Sequence, residues 1–138
     1  MSLKLRAESP EDVIVIGGYL QDAAIKVADI AWLPTARRFA LVGNRFMWER
    51  EGPPHFRTRA GLHFETVTAA RIRGISQDQE DQVLELLTIH AVERDGRALV
   101  TLSFCGGGDI RLEAELIEAG MDDLGEPWET THLPRHET

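Results

Sequence analysis

Val92-Glu93-Arg94-Asp95-Gly96-Arg97-Ala98-Leu99 decides how this chain is read. Asp-Gly between two alternating runs is the strongest short-range signal for a β-hairpin, because a type I′ turn needs positive φ at both central residues. With Asp95 and Gly96 at the turn, Val92 pairs with Leu99, His90 with Thr101 and Thr88 with Ser103. That register puts Leu87, Ile89, Ala91, Ala98, Val100, Leu102 and Phe104 on one face, expected to be core. Thr88, His90, Arg94, Arg97, Thr101 and Ser103 fall on the other face, with Leu86, Val92 and Leu99 as its apolar members. A second turn at Gly106-Gly107-Gly108-Asp109 leads to Ile110, Leu112, Ala114 and Leu116, alternating with Arg111, Glu113 and Glu115. The expectation is a three-stranded antiparallel meander with one buried side.

The chain has 138 residues, enough for one domain with a proper core, and residues 1–138 are read as one globular unit with a frayed tail from about 129. No run approaches the ~18 apolar residues of a membrane span. The N-terminus lacks the apolar stretch of a secretory signal. A single cysteine, Cys105, rules out an intramolecular disulfide framework and fits a reducing compartment, so the expected location is the cytoplasm.

The net charge of −8 is unevenly spread. From Arg37 to Arg73 eight arginines face three glutamates, giving +5; the remaining seven basic and twenty acidic residues give −13. An acidic chain is a poor general nucleic-acid binder, since phosphate contacts need a positive face. The basic middle is therefore the segment to explain.

Ahead of the meander, Leu3 and Leu5 alternate with Lys4 and Arg6 as a short strand. Ser9-Pro10-Glu11-Asp12 starts a helix: Ser9 caps, Pro10 suits the first position, and the acids complement the positive end of the dipole. Val13, Ile16, Leu20 and Ala24 carry the helical spacing, although Gly17-Gly18 weakens it. Ile25–Leu33 and Arg38–Glu49 read as a second hairpin around Pro34–Arg37, with Gly43 marking a bulge or a close backbone approach. Glu51–Pro54 is loop. Arg59–Ile75 reads as one long or bent strand, with Thr66 on the face of Leu62 and Phe64. Ile117–Leu124 has the spacing of a short C-terminal helix; the alternative is a helix from as early as Leu112, which would cost the meander its third strand. Roughly six or seven strands with one or two helices make an α+β fold, mainly antiparallel. The expected architecture is a strongly curved sheet or small barrel, like pleckstrin-homology-type folds.

No catalytic signature emerges, and no metal or cofactor is called for. His90 sits among hydroxyls, with Glu85 and Glu93 expected to point away from it. Ser103 and Cys105 lack a strand-turn-helix elbow. The glycine run matches neither a Walker loop nor a dinucleotide fingerprint. His132 and His136 have the spacing of a ligand pair but lie in a tail broken by Pro134. In the middle, Arg37, Arg38, Arg45, Arg57, Arg59, Arg71 and Arg73 share their segment with Trp32, Phe39, Phe46, Trp48, Phe56 and Phe64, six of the nine aromatics. Arginine with exposed aromatics binds single-stranded nucleic acid or a phosphorylated ligand. The plainer reading is core aromatics, with arginines paired to this protein's own acids or to a neighbouring subunit's.

Tyr19-Leu20-Gln21-Asp22-Ala23, Ala31-Trp32-Leu33-Pro34, Arg38-Phe39-Ala40-Leu41, Asn44-Arg45-Phe46-Met47-Trp48-Glu49 and Asp123-Leu124-Gly125-Glu126-Pro127-Trp128 resemble a bacterial family of small single-domain proteins of unknown function, DUF2948. The resemblance spans nearly the whole chain. It implies a small cytoplasmic protein and brings no catalytic residues. It draws attention to Asn44-Arg45-Phe46 and Gln21-Asp22 as the first residues to test for function; the equal alternative is that they hold the fold, with Asp22 paired to Arg45.

The leading expectation is a non-enzymatic interaction domain that binds a protein partner or its own copy as a homodimer. The alternative is a small enzyme or binding protein that holds an anionic metabolite in an arginine-lined pocket. RNA binding stands third, and no membrane is involved. The expected ligand- or partner-binding residues are Arg45, Trp48, Arg57, Arg59 and His90; none is assigned to catalysis or to a metal.

Overall fold

The computed structural model of the chain describes residues 2–134. The elements run β1 (Lys4–Ala7), α1 (Pro10–Tyr19), β2 (Ala24–Lys26), a 3-10 turn (Val27–Asp29), β3 (Ile30–Leu33), β4 (Arg38–Phe46), β5 (His55–Phe64), β6 (Val67–Arg73), β7 (Val83–Arg94), β8 (Arg97–Phe104), β9 (Asp109–Ala114), β10 (Ala119–Asp123) and β11 (Trp128–Thr130). The strands form one antiparallel sheet in the order β1-β10-β5-β4-β2-β7-β8-β9-β6, with β11 beside β5 and β3 beside β4. The fold is α+β with an antiparallel sheet, as expected.

The meander forms in the expected register: Val92 opposes Leu99, His90 opposes Thr101 and Thr88 opposes Ser103. Asp95 and Gly96 take φ of 54° and 75°, as a type I′ turn demands. The second turn sets Thr101 opposite Arg111. One detail differs. The ladder slips between Leu86 and Thr88, leaving Leu87 as an extra residue. Leu86 is therefore fully buried and Leu87 exposed, the reverse of the expectation. A bulge reverses the inward–outward alternation at one point and bends the strand. Here the bend carries β7 from its pairing with β8 to its pairing with β2.

Helix α1 starts as expected: the Ser9 hydroxyl accepts from the Asp12 amide at 3.2 Å. It stops at Tyr19, so Ala24 belongs to β2. Gly17 lets the helix lie close on β7, since a Cβ there would sit 3.3 Å from that of Ile89. The expected strand 25–33 is broken by the 3-10 turn. Its first part bridges the two halves of the sheet, with Ala24 between Asn44 and Glu85. Gly43 is the expected close approach: a Cβ would fall 2.7 Å from Ile25 Cγ1 and 2.9 Å from the Ala24 carbonyl oxygen. Gly43→Ala is expected to cost about 1–3 kcal/mol in urea denaturation, the range for an overpacked interior.

Three further expectations are corrected. The segment 59–75 is two strands, not one. Thr66, at φ 57°, turns the chain between β5 and β6. The C-terminal helix is absent among the described residues: 119–123 is β10, inserted between β1 and β5. Alternating Ala119, Met121 and Asp123 face inward opposite Phe64, Leu62 and Ala60. Helical spacing at Leu116, Ile117, Met121 and Leu124 misleads because Leu116 and Leu124 are exposed and Ile117 is buried from within the 115–118 connection. Likewise, 128–130 is strand and not frayed tail; residues 135–138, including His136, lie outside the described residues.

The connections prove strong curvature. β5 and β6 stand six ladder steps apart, roughly 29 Å in a flat sheet at ~4.8 Å per step. Three peptide units cross from Phe64 to Val67, at most about 11 Å. The sheet must fold back on itself, and the two crossing segments hydrogen-bond side by side: Glu65 to the Glu118 carbonyl at 2.8 Å, and Glu115 to the Thr66 carbonyl at 3.0 Å. The enclosed space is the core, with Phe39, Leu62, Leu86, Leu102, Ile110 and Met121 almost fully buried. The sheet stays open, because β6 pairs only with β9 and β3 only with β4. The small-barrel expectation, and with it the pleckstrin-homology comparison, is not met.

Candidate functional site

The five expected site residues do not converge. Arg45 points inward and is fully buried. Its Nε and Nη2 donate to Asp123 at 2.8 and 2.9 Å, and its Nη1 and Nη2 donate to Glu49 at 2.9 and 2.7 Å. Nη1 also donates to the Phe46 carbonyl at 3.4 Å. A guanidinium has five N–H donors, so Arg45 is saturated by its own chain. Burial opposes its charge, but the hydrogen bonds it donates to Glu49 and Asp123 outweigh that and hold its pKa above the ordinary value. Burial likewise opposes ionised Asp123, yet Arg45 and the Leu3 amide hold its carboxyl below the usual range. Glu49 shifts downward in the same way, with burial overcome by Arg45. The expected Arg45–Asp22 pair does not form; Arg45 locks β4 to β10.

Arg57 is also engaged internally. It donates to the Asn44 carbonyl at 3.3 Å and lies 5.7 Å from the Phe46 ring centre. Burial lowers its pKa, opposed by Asp22 and Glu85. Trp48 packs on Phe46 at 4.7 Å, and its indole donates to the Gln21 carbonyl at 3.0 Å. Arg59 lies 3.7 Å from Asp29. Arg38 pairs with Glu65, Arg37 with Glu115 and Arg73 with Asp109. The plain reading of the basic segment therefore describes most of it: its arginines meet the protein's own acids. Phe39, Phe46 and Phe64 are buried, leaving no row of exposed aromatics for RNA bases along this segment.

His90 belongs to a different place. It stands on the outward face of β7, β8, β9 and β6, where the ladders align His90, Thr101, Arg111 and Arg71 in one row. The next row is Val92, Leu99, Glu113 and Ala69. Together the two rows line a half-open groove of about 440 Å³, a size that suits a small ligand or a short stretch of peptide. Arg71 and Arg111 stand directly opposite each other, an arrangement that is destabilising for like charges. Nearby acids are already engaged. Asp109 lies 3.2 Å from Arg73 and 3.5 Å from Arg111, and Glu113 lies 3.2 Å from Arg97. Among the described residues the Arg71 side chain makes no ion pair or hydrogen bond. A larger depression of about 630 Å³ lies at the Asp95–Gly96 turn, but there Glu8, Glu93, Glu115 and Glu118 outnumber Arg94 and Arg97.

Sequence reasoning missed Arg71 and Arg111 as a pair. Two hairpin turns predict the His90–Thr101–Arg111 row. The neighbour across it, Arg71, comes from β6, which no local turn joins to β9.

Among the described residues no three His, Cys, Asp or Glu side chains gather to hold a metal ion. Cys105 is free and exposed, and desolvation with Glu85 pushes its thiol above the ordinary value, away from reactive thiolate. Among the described residues no helix is long and apolar enough to cross a membrane.

An open, curved antiparallel sheet with, among the described residues, one α-helix and an arginine-bearing outward face defines a small α+β domain. The chain belongs to the family described as "Protein of unknown function (DUF2948)", which matches residues 3–136. No curated protein and no solved structure matches it.

Proposed function

We propose that the protein is a non-enzymatic interaction domain of the cytoplasm that binds an acidic segment of a partner protein on the outward face of β6–β9. The observation that carries this reading is the Arg71–Arg111 pair, placed side by side without enough carboxylate to neutralise it. Carboxylates from a partner relieve that repulsion through bidentate hydrogen bonds. His90 and Thr101 extend the polar row, while Val92, Leu99 and Ala69 give apolar contact alongside. A second copy of the chain is one such partner, since the depression at the Asp95–Gly96 turn is rich in glutamate. A second reading, an anionic metabolite in the same groove, is favoured by its volume of about 440 Å³.

The test is a nuclear magnetic resonance titration with hexaglutamate and, separately, inorganic phosphate. Hexaglutamate is expected to shift His90, Thr101 and Arg111 and to lose affinity at least tenfold in Arg71→Glu/Arg111→Glu. Binding that ignores this charge reversal would sink the proposal. Binding of phosphate alone moves the assignment to the metabolite reading. Light scattering on a sizing column at low and high salt reads self-association: a dimer that weakens with salt identifies a second copy as the partner.

A further inference from the structure

The sheet leaves two edges open toward each other. β6 is the longer, at seven residues, and pairs only with β9; β3 pairs only with β4. At one end the seam between them is drawn together, where the Val67 amide donates to the Arg37 carbonyl at 2.9 Å. Further along lies a depression of about 190 Å³, lined by Val27, Ala28 and Ile30 from one side and by Ile72, Ile75 and Ile110 from the other, with Gln77 and Glu80 at its end, where the Glu80 and Gln82 carbonyls accept from the Ala28 and Val27 amides at 3.0 Å. Ala70 and Ile72 oppose the buried Leu112 and Ile110, so they point to the core, yet they remain only half-buried. Ile30 and Trp32, across the seam on β3, are half-buried too. The core is thus incompletely covered along the line where the sheet fails to close.

We propose that this seam is the docking site for an extended segment of a partner protein, added to β6 as a further strand, with apolar and acidic side chains in alternation. This rests on the acidic-partner reading of the neighbouring face. In an antiparallel pair alternate residues direct their backbone N–H and C=O groups away from the partner strand, so the free side of β6 offers a row of both. An added strand satisfies them, and its side chains alternate between two environments. Those facing inward meet Ile72, Ile75 and Ile30. Those facing outward stand beside Arg71, with Arg111 one strand further in. The period of two and the positive outward face together specify the occupant: apolar at one parity, carboxylate at the other.

The test uses the full chain, isotopically labelled, and two nine-residue peptides of identical composition, one alternating valine and glutamate and one with the valines and glutamates in separate blocks. The alternating peptide is expected to bind at least tenfold more tightly and to protect alternate β6 amides from hydrogen exchange. N-methylation of the peptide amides that face β6 is expected to abolish binding, a change that leaves the protein's own folding untouched. Equal binding of both peptides without β6 protection, still lost in Arg71→Glu/Arg111→Glu, overturns strand addition and leaves the acidic-partner reading standing. Strand-specific binding that ignores the charge reversal does the opposite. Failure of both peptides to bind overturns both. Protection of β6 that rises with protein concentration alone assigns the edge to a second copy and overturns the separate partner.

Discussion

Arg45 and Arg71 show how one residue type takes opposite roles in one sheet. Arg45 lies inside the curve, with all five donors met by Asp123, Glu49 and the Phe46 carbonyl. Arg71 lies outside it, facing Arg111 across the β6–β9 ladder. Taking Arg45 out of water is costly, and only two well-placed carboxylates offset that cost. Arg71 keeps its hydration, so its position is inexpensive, and its repulsion from Arg111 is screened by solvent. The inner arginine is committed to the fold; of the outer pair Arg111 reaches Asp109 at 3.5 Å, and Arg71 is available to something else. Burial and the supply of partners decide the role.

The sharpest way to break this contrast is substitution at both places. Arg45→Met leaves Asp123 and Glu49 as uncompensated carboxylates and is expected to cost about 3–5 kcal/mol in urea denaturation. Equal losses from Arg45→Met and Arg71→Gln would end the distinction.

Acid comes next. Asp123 and Glu49 titrate below their ordinary values when folded, so the folded state binds fewer protons than the unfolded chain. Their contribution is full above the unfolded values, near ~4, and is lost as pH falls through the depressed ones. Melting temperature is therefore expected to fall steeply below about pH 4. Asp123→Asn, already weakened at neutral pH, is expected to show a shallower fall.

The smallest effect belongs to the outer pair. Arg71→Gln is expected to change stability by no more than about 0.5 kcal/mol, in the stabilising direction, because it removes a like-charge neighbour. Moderate salt is expected to shift the parent protein the same way and to leave Arg71→Gln unmoved. A clear loss of stability would mean that Arg71 has a structural partner in solution.

Local signals carried much of the fold. The Asp95–Gly96 turn fixed a register that alternation then extended, and Ser9-Pro10 announced the only helix among the described residues. The bulge at Leu87 was hidden because Leu86 and Leu87 are equally apolar, so no pattern says which one faces in. The β10 strand was hidden because Met121, its one large apolar residue, falls at helical spacing with Leu116, Ile117 and Leu124 outside it. For the site, His90 was found from hairpin chemistry, whereas Arg45 was chosen for its charge and turned out to be committed to the core.

By itself the sequence determined the meander, the helix start, the close approach at Gly43 and the uneven charge, since each depends on a few neighbouring residues. Only the tertiary structure decided which arginines are spent internally, that Arg71 meets Arg111, and that the sheet curves back without closing. Those outcomes depend on pairings between segments far apart in the chain, β4 with β10 through Arg45 and β6 with β9 through the ladder, and no local propensity encodes such distances.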